Sequence, residues 1–176
     1  TFKQNEFGEY IFDYSRADNP TRQNLEKNVA SLEEGIGAVA FSSGMAAISS
    51  ICQMFKAGDE FIFTHDVYGG TYRFMEQIMS RFGLKVKWVD TSSIQEIESN
   101  MGPKTKMIFI ETPTNPMMTI SDIRKIADIS KKNNIILVVD NTFMSPFFQR
   151  PLSLGADIVV HSSTKYIGGH SDIIGG

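Results

Sequence analysis

Cysteine is nearly absent: Cys52 is the single one in 176 residues. One thiol makes no internal disulfide and no Cys-x-x-Cys metal or redox site. That usage fits a reducing compartment, so a cytoplasmic location is expected. Long apolar runs are missing as well. The longest aliphatic stretch runs from Ile135 to Val139, far short of the about 20 residues a spanning helix needs, and no membrane association is expected. Charge of one sign is also missing. Seventeen Lys and Arg stand against twenty Asp and Glu, a net charge of -3 with no long run of either sign. This excludes the basic footprint of a nucleic-acid binder and a polybasic membrane patch. Residues 1–14 are polar and aromatic and lack the apolar core of a signal peptide.

Several catalytic signatures are missing too. There is no Gly-x-Gly-x-x-Gly after the first apolar run, no Walker Gly-Lys-Ser/Thr, no His-Glu-x-x-His and no Gly-x-Ser-x-Gly, which argues against dinucleotide, nucleotide, zinc-protease and serine-hydrolase chemistry. His65, His161 and His170 have no metal-ligand spacing, so no metal site is expected; His161 and His170 read as packing or hydrogen-bonding residues.

What is present is globular: 41% hydrophobic and 21% charged residues. A chain of this length forms one domain and buries roughly 70% of its unfolded surface. Short apolar runs alternate with amphipathic stretches. Asn19-Pro20 reads as a cap and first turn, with Leu25, Val29 and Leu32 at helical spacing and a stop at Gly35. Strands are expected at 38–41, 61–64, 84–89, 107–110, 135–139 and 158–160. Helices are expected at 44–55, 71–82 (Phe74, Ile78 and Phe82 on one face), 94–101 and 121–132. Strands separated by helices imply βαβ units, and strands apolar throughout imply a sheet covered on both faces. The expected fold class is α/β, a mostly parallel sheet flanked by helices.

Ligands in such sheets sit beyond the carboxyl ends of the strands, so the residues after each strand are the candidates. Ser42-Ser43-Gly44-Met45 opens a helix with small residues, suited to an anion or simply to a tight corner. Glu111-Thr112-Pro113-Thr114-Asn115-Pro116 is a rigid loop that either aims Asn115 at a partner or is a plain turn. Asp140 follows five aliphatics, where a carboxylate is costly unless paired, and Thr142 follows it. Lys165 stands behind Ser162, Ser163 and Thr164. A partly buried lysine there becomes a nucleophile toward carbonyls, whereas a solvated one is only a loop residue. Each signal is weak alone. Together they describe one ligand with an anionic group, a ring nitrogen and a carbonyl, which is pyridoxal 5′-phosphate.

The strings Tyr14-Ser15-Arg16, Ser43-Gly44-Met45, Asp66-Val67-Tyr68-Gly69-Gly70-Thr71 and Glu111-Thr112-Pro113-Thr114-Asn115-Pro116 occur in order with Val139-Asp140-Asn141-Thr142, Gln149-Arg150-Pro151-Leu152 and Ser162-Ser163-Thr164-Lys165-Tyr166. In this set the chain resembles the Cys/Met-metabolism enzymes that use pyridoxal phosphate: cystathionine γ-synthase, cystathionine γ- and β-lyase and methionine γ-lyase. The resemblance implies the large domain of the type I pyridoxal-phosphate fold. It implies that Lys165 bonds the cofactor and acts catalytically, Asp140 pairs with its ring nitrogen, and Tyr68 stacks on the ring and assists proton transfer. Gly44 and Met45 would give N–H groups, and Ser162 and Thr164 hydroxyls, to the phosphate. Asn115 would lie near the phenolic oxygen, and Thr142 would support Asp140.

Tyr14 and Arg16 would reach the phosphate of a neighbouring subunit, making residues 1–19 an arm, residues 20–176 an incomplete cofactor-binding domain, and the assembly a homo-oligomer, a dimer of dimers. Family members are about twice as long, and the arginine that holds the substrate carboxylate lies in a later domain. The implied activity is trans-sulfuration on a sulfur amino acid or activated homoserine. Methionine γ-lyase, O-acetylhomoserine sulfhydrylase and an inactive fragment are the alternatives. Gly70, where methionine γ-lyases have cysteine, favours the cystathionine enzymes.

Overall fold

The computed structural model describes residues 3–12 and 14–176; positions 1, 2 and 13 of the expected arm lie outside the described residues. The chain divides into two compact units, Thr1–Ala40 and Phe41–Gly176.

In the first unit, β1 (Lys3–Gln4) and β2 (Tyr10–Phe12) form an antiparallel pair. Elements of two and three residues hold too little periodicity to be legible in the sequence. Helix α1 (Pro20–Glu33) starts as expected: the Asn19 side chain accepts from the Thr21 and Arg22 N–H groups, with proline in the first turn. It ends on Glu34, which takes the left-handed conformation at φ 59°, one residue before Gly35. Arg22 donates to the carbonyls of Ser15, Arg16 and Ala17. This fastens the turn that carries Tyr14 and Arg16 to α1.

The second unit runs α2 (Gly44–Cys52), β3 (Glu60–Thr64), α3 (Gly69–Gln77), β4 (Lys85–Val89), α4 (Ile94–Asn100), β5 (Thr105–Glu111), α5 (Ile123–Lys132), β6 (Ile136–Asp140), α6 (Ser145–Phe148) and β7 (Ile158–Val160). The five strands form one sheet in the order β4-β3-β5-β6-β7, and every pairing is parallel. Alternate residues of each strand feed two cores. Phe61, Phe63, Met107, Phe109 and Val138 pack with Ala47, Ile48 and Met75 from α2 and α3. Ile62, Ile108, Ile110, Leu137 and Val139 pack with Ile97, Ile123 and Ile126 from α4 and α5. Coverage of both faces is what strands without polar alternation require. Phe63 and Phe109 stack at 4.6 Å in the centre of the first core. The more exposed β4 lies at the sheet edge. No helix is long and apolar enough to cross a membrane among the described residues.

Three local expectations are corrected. Residues 38–41 form no strand and are not buried, with Val39 70% exposed; Phe41 alone pairs reciprocally with Gly176. The helix expected to reach 55 stops at Cys52. The stretch 71–82 breaks at Ile78 into α3 and a 3₁₀ turn at Met79–Phe82. The inward residues there are Thr71, Met75 and Met79, while Ile78 and Phe82 are exposed. A single phase shift of one residue moves an amphipathic face by 100°, so the larger apolar side chains misled the assignment.

Cys52 is 1% exposed and stands 3.7 Å from the Met75 sulfur. Burial pushes its thiol up to about 12, and the thiolate is the reactive form. The native protein is therefore expected to consume no thiol reagent at pH 8, and the denatured protein one equivalent; titration with a chromogenic disulfide checks it.

Candidate cofactor site

The order β4-β3-β5 reverses the direction of chain progression between β3 and β5. From β3 the chain goes outward through α3 to β4; from β5 it goes the other way through α5 to β6. The two helices cover opposite faces, so the carboxyl ends of β3 and β5 open on a crevice, the place where such sheets bind ligands.

Asp140 closes β6, in register with Glu111 of β5 and Val160 of β7. It is buried, and one carboxylate oxygen accepts from the Thr142 N–H at 3.0 Å and the Thr142 hydroxyl at 2.5 Å. Thr142 Oγ1 in turn accepts from the Ser162 N–H at 2.8 Å. Burial raises the Asp140 carboxyl above its ordinary value, against the Thr142 hydrogen bonds and nearby His161. A buried carboxylate oriented by two donors from Thr142 and raised by desolvation suits a protonated ring nitrogen.

Ser162 also meets α2. A Cβ on Gly44 would stand 3.0 Å from Ser162 Cβ and 3.1 Å from its Cα. Only a residue without a side chain lets the helix start come this close, where the first-turn N–H groups of Gly44 and Met45 have no intrahelical acceptor. Ser43 caps the helix, its hydroxyl accepting from the Ala46 N–H at 3.1 Å. The Thr164 hydroxyl is tied to Gly175, donating to its carbonyl at 3.3 Å and accepting from its N–H at 3.1 Å. The first-turn N–H groups of α2, set against Ser162, suit a phosphate.

Lys165 follows in the same turn, its N–H donating to the Ser162 carbonyl at 3.1 Å. Its side chain is exposed, not partly buried as expected, because the turn carries it past the end of β7 instead of into the sheet. His170 bonds the Gly168 carbonyl at 2.8 Å, which agrees with its expected hydrogen-bonding role.

On the other rim stands Tyr68, which is 56% exposed. The ring folds over Gly70, where any Cβ would collide with Tyr68 Cε1. Asn115 lies exposed in the loop after β5. Thus Gly44, Met45, Tyr68, Asn115, Asp140, Thr142, Ser162, Thr164 and Lys165 all fall at the carboxyl ends of the sheet of the second unit. Tyr14 and Arg16 belong to the first unit, where the guanidinium lies 5.3 Å from the ring centroid.

Sequence reasoning passed over Glu111. It ends β5 as Asp140 ends β6, and it is 7% exposed. One carboxylate oxygen accepts from the Tyr68 N–H at 2.8 Å and the other from the Asn115 N–H at 3.2 Å. Burial, together with the negative charges of Asp140 and Asp66, pushes its carboxyl up to about 7 against those two hydrogen bonds. The signal was there, since an acid directly after the apolar run Met107 to Ile110 carries the same desolvation cost that singled out Asp140.

The fold and this site define a parallel α/β domain with an anion corner, a buried acid and a lysine at one end of its sheet. Residues 1–176 match the family described as Cys/Met metabolism PLP-dependent enzyme, and the chain belongs to that family. It is 54% identical over 177 residues to a cystathionine gamma-lyase of Bacillus subtilis (strain 168), covering 100% of this chain and 47% of that protein. It is 53% identical over 165 residues to the cystathionine gamma-synthase/O-acetylhomoserine (thiol)-lyase of the same organism, covering 94% and 44%. The crystal structure of cystathionine gamma-lyase from Lactobacillus plantarum complexed with L-serine superposes with a TM-score of 0.95 at 46% identity, covering 99% of this chain and 46% of that one. The chain spans about half the length of the relatives it matches. The family's cofactor is pyridoxal phosphate.

Proposed function

We propose that this chain forms the cofactor-binding part of a pyridoxal-phosphate trans-sulfuration enzyme, a C–S lyase or γ-replacement transferase acting on cystathionine or an activated homoserine. The observation that supports it most is the line Asp140–Thr142–Ser162–Gly44, which joins the buried acid to the anion corner through hydrogen bonds and one close backbone approach. When bound, pyridoxal phosphate supplies an electron sink for a carbanion beside the substrate amine.

The residues divide the work around it. Gly44 and Met45 N–H groups and the hydroxyls of Ser162 and Thr164 hold the phosphate. Asp140, oriented by Thr142, keeps the proton on the ring nitrogen. Tyr68 would lie against the ring and assist proton movement, and Asn115 would serve the phenolic oxygen. Lys165 Nζ would be the group that holds the cofactor's carbonyl end, and as a free amine it would take the proton from the substrate's α-carbon. Tyr14 and Arg16 serve the phosphate of a neighbouring subunit, in a cytoplasmic homo-oligomer built as a dimer of dimers. Residues 1–19 act as its arm, and residues 20–176 as the incomplete large domain. The cystathionine names of the relatives favour this reading over methionine γ-lyase.

The test is the visible absorption spectrum with added pyridoxal phosphate, followed by borohydride reduction and peptide mapping. A visible band and a pyridoxyl mass on the Lys165 peptide, both lost in Lys165→Ala, are expected. A label that survives Lys165→Ala, or no label in the unsubstituted protein, overturns the reading.

A further inference from the structure

Glu111 occupies a position that the roles above leave unused. It sits at the end of β5, on the line where the sheet reverses direction, between the loop after β3 and the loop after β5. Its two oxygens are divided between those loops, one on the Tyr68 N–H and one on the Asn115 N–H. The Glu111 N–H itself donates to the hydroxyl of Thr64, the last residue of β3, at 3.3 Å. The backbone of one rim residue is thereby tied to the backbone of the other through a single carboxylate. We propose that Glu111 is a positioning residue: its carboxylate is the spacer that sets Tyr68 against Asn115 across the crevice and so fixes the orientation of the cofactor ring between them. This rests on the pyridoxal-phosphate reading of the site.

Three features support the assignment. The first is stoichiometric. The two backbone donors point at different oxygens of the carboxylate, and a glutamine would put an NH₂ donor in place of one of them. The second is that Tyr68 has no side-chain cap of its own at the start of α3 and is more than half exposed. Its carbonyl accepts from the Thr71 and Tyr72 N–H groups at the start of α3, its N–H is held by Glu111, and its ring lies over Gly70. The third is redundancy elsewhere. The same two loops are also joined through Asp66, whose Oδ2 accepts from the hydroxyls of Thr114 at 2.7 Å and Thr119 at 3.0 Å. The loops therefore stay attached without Glu111, and its buried charge, facing Asp140 and Asp66, is retained at a cost that loop attachment alone does not explain.

The experiment compares Glu111→Gln, Glu111→Ala and Thr119→Val in the protein reconstituted with pyridoxal phosphate. It reads cofactor dissociation constant and visible circular dichroism per bound cofactor, which reports ring orientation. Thr119→Val is the control, because it removes one bond between the same loops without touching the Tyr68 amide. Glu111→Gln loses one of the two backbone acceptors and Glu111→Ala both. Affinity is expected to weaken roughly tenfold in Glu111→Ala and less in Glu111→Gln. The dichroic band per bound cofactor is expected to shrink in the same order, and Thr119→Val to keep both. An unchanged band in both Glu111 variants overturns the inference while leaving the cofactor reading intact. An equal change in Thr119→Val also overturns it, showing general loop damage. No visible band in the unsubstituted protein overturns the cofactor reading and this inference together.

Discussion

Asp140→Asn is expected to make the cofactor-free protein more stable and the loaded enzyme nearly inactive. The amide oxygen still accepts both bonds from Thr142, so local geometry survives. What disappears is a buried negative charge whose carboxyl is raised by desolvation. The raised folded value means that ionised Asp140 opposes folding at neutral pH. Removing the charge should raise the stability of the cofactor-free fold by about 0.5–2 kcal/mol, the usual size of a single stabilising substitution. In the proposed site the same change would remove the partner of the ring nitrogen, and loss of one such electrostatic stabiliser costs about 10²–10³ in kcat. Urea unfolding of the cofactor-free protein at pH 7.5 reads the first effect, and cystathionine turnover with saturating cofactor the second. A variant that is less stable and still turns over would remove Asp140 from this role.

The pH dependence of folding should carry the signature of Glu111. Its carboxyl lies at about 7 in the folded chain against 4.5 for the free side chain. A folded value above the unfolded one means the folded state holds the proton more tightly. The resulting stabilisation is complete below about pH 4.5 and is lost as pH rises to about 7; above that the contribution is flat. The shift corresponds to about 3 kcal/mol. Glu111→Gln has no proton to release, so its stability relative to the unsubstituted protein should improve by about that amount between pH 4.5 and pH 8. Denaturant unfolding of both proteins across this range, without cofactor, measures the difference. A constant difference across the range would mean that Glu111 keeps an ordinary carboxyl.

Much of the site was open to a reader of the residues because its chemistry follows a local rule. An acid after five aliphatics is costly wherever the chain goes, so Asp140 stood out before any fold was known. Asn19-Pro20 gave α1 its start for the same kind of reason, since the cap and the proline act within one turn. Glu111 met the same rule but was masked by the two prolines after it, which drew attention to the loop instead of its anchor. In residues 71–82 Phe74 packs against the core as its spacing suggests, but the helix breaks at Ile78, and Met75 and Met79 take the inward places that Ile78 and Phe82 were expected to fill.

The sequence by itself determined the parallel α/β class, the order of the elements and the side-chain types at the carboxyl ends of the strands. Those depend on periodicity, capping and desolvation, which act over a few residues. Only the tertiary structure decided which strands are neighbours. The order β4-β3-β5 comes from burying two apolar faces at once, a property of the whole sheet. That order sets Glu111 against residue 68, 43 positions away, brings Gly44 onto Ser162, and leaves Lys165 on an exposed turn. Contacts over such separations depend on the packing of every intervening element, and no local pattern in the chain encodes them.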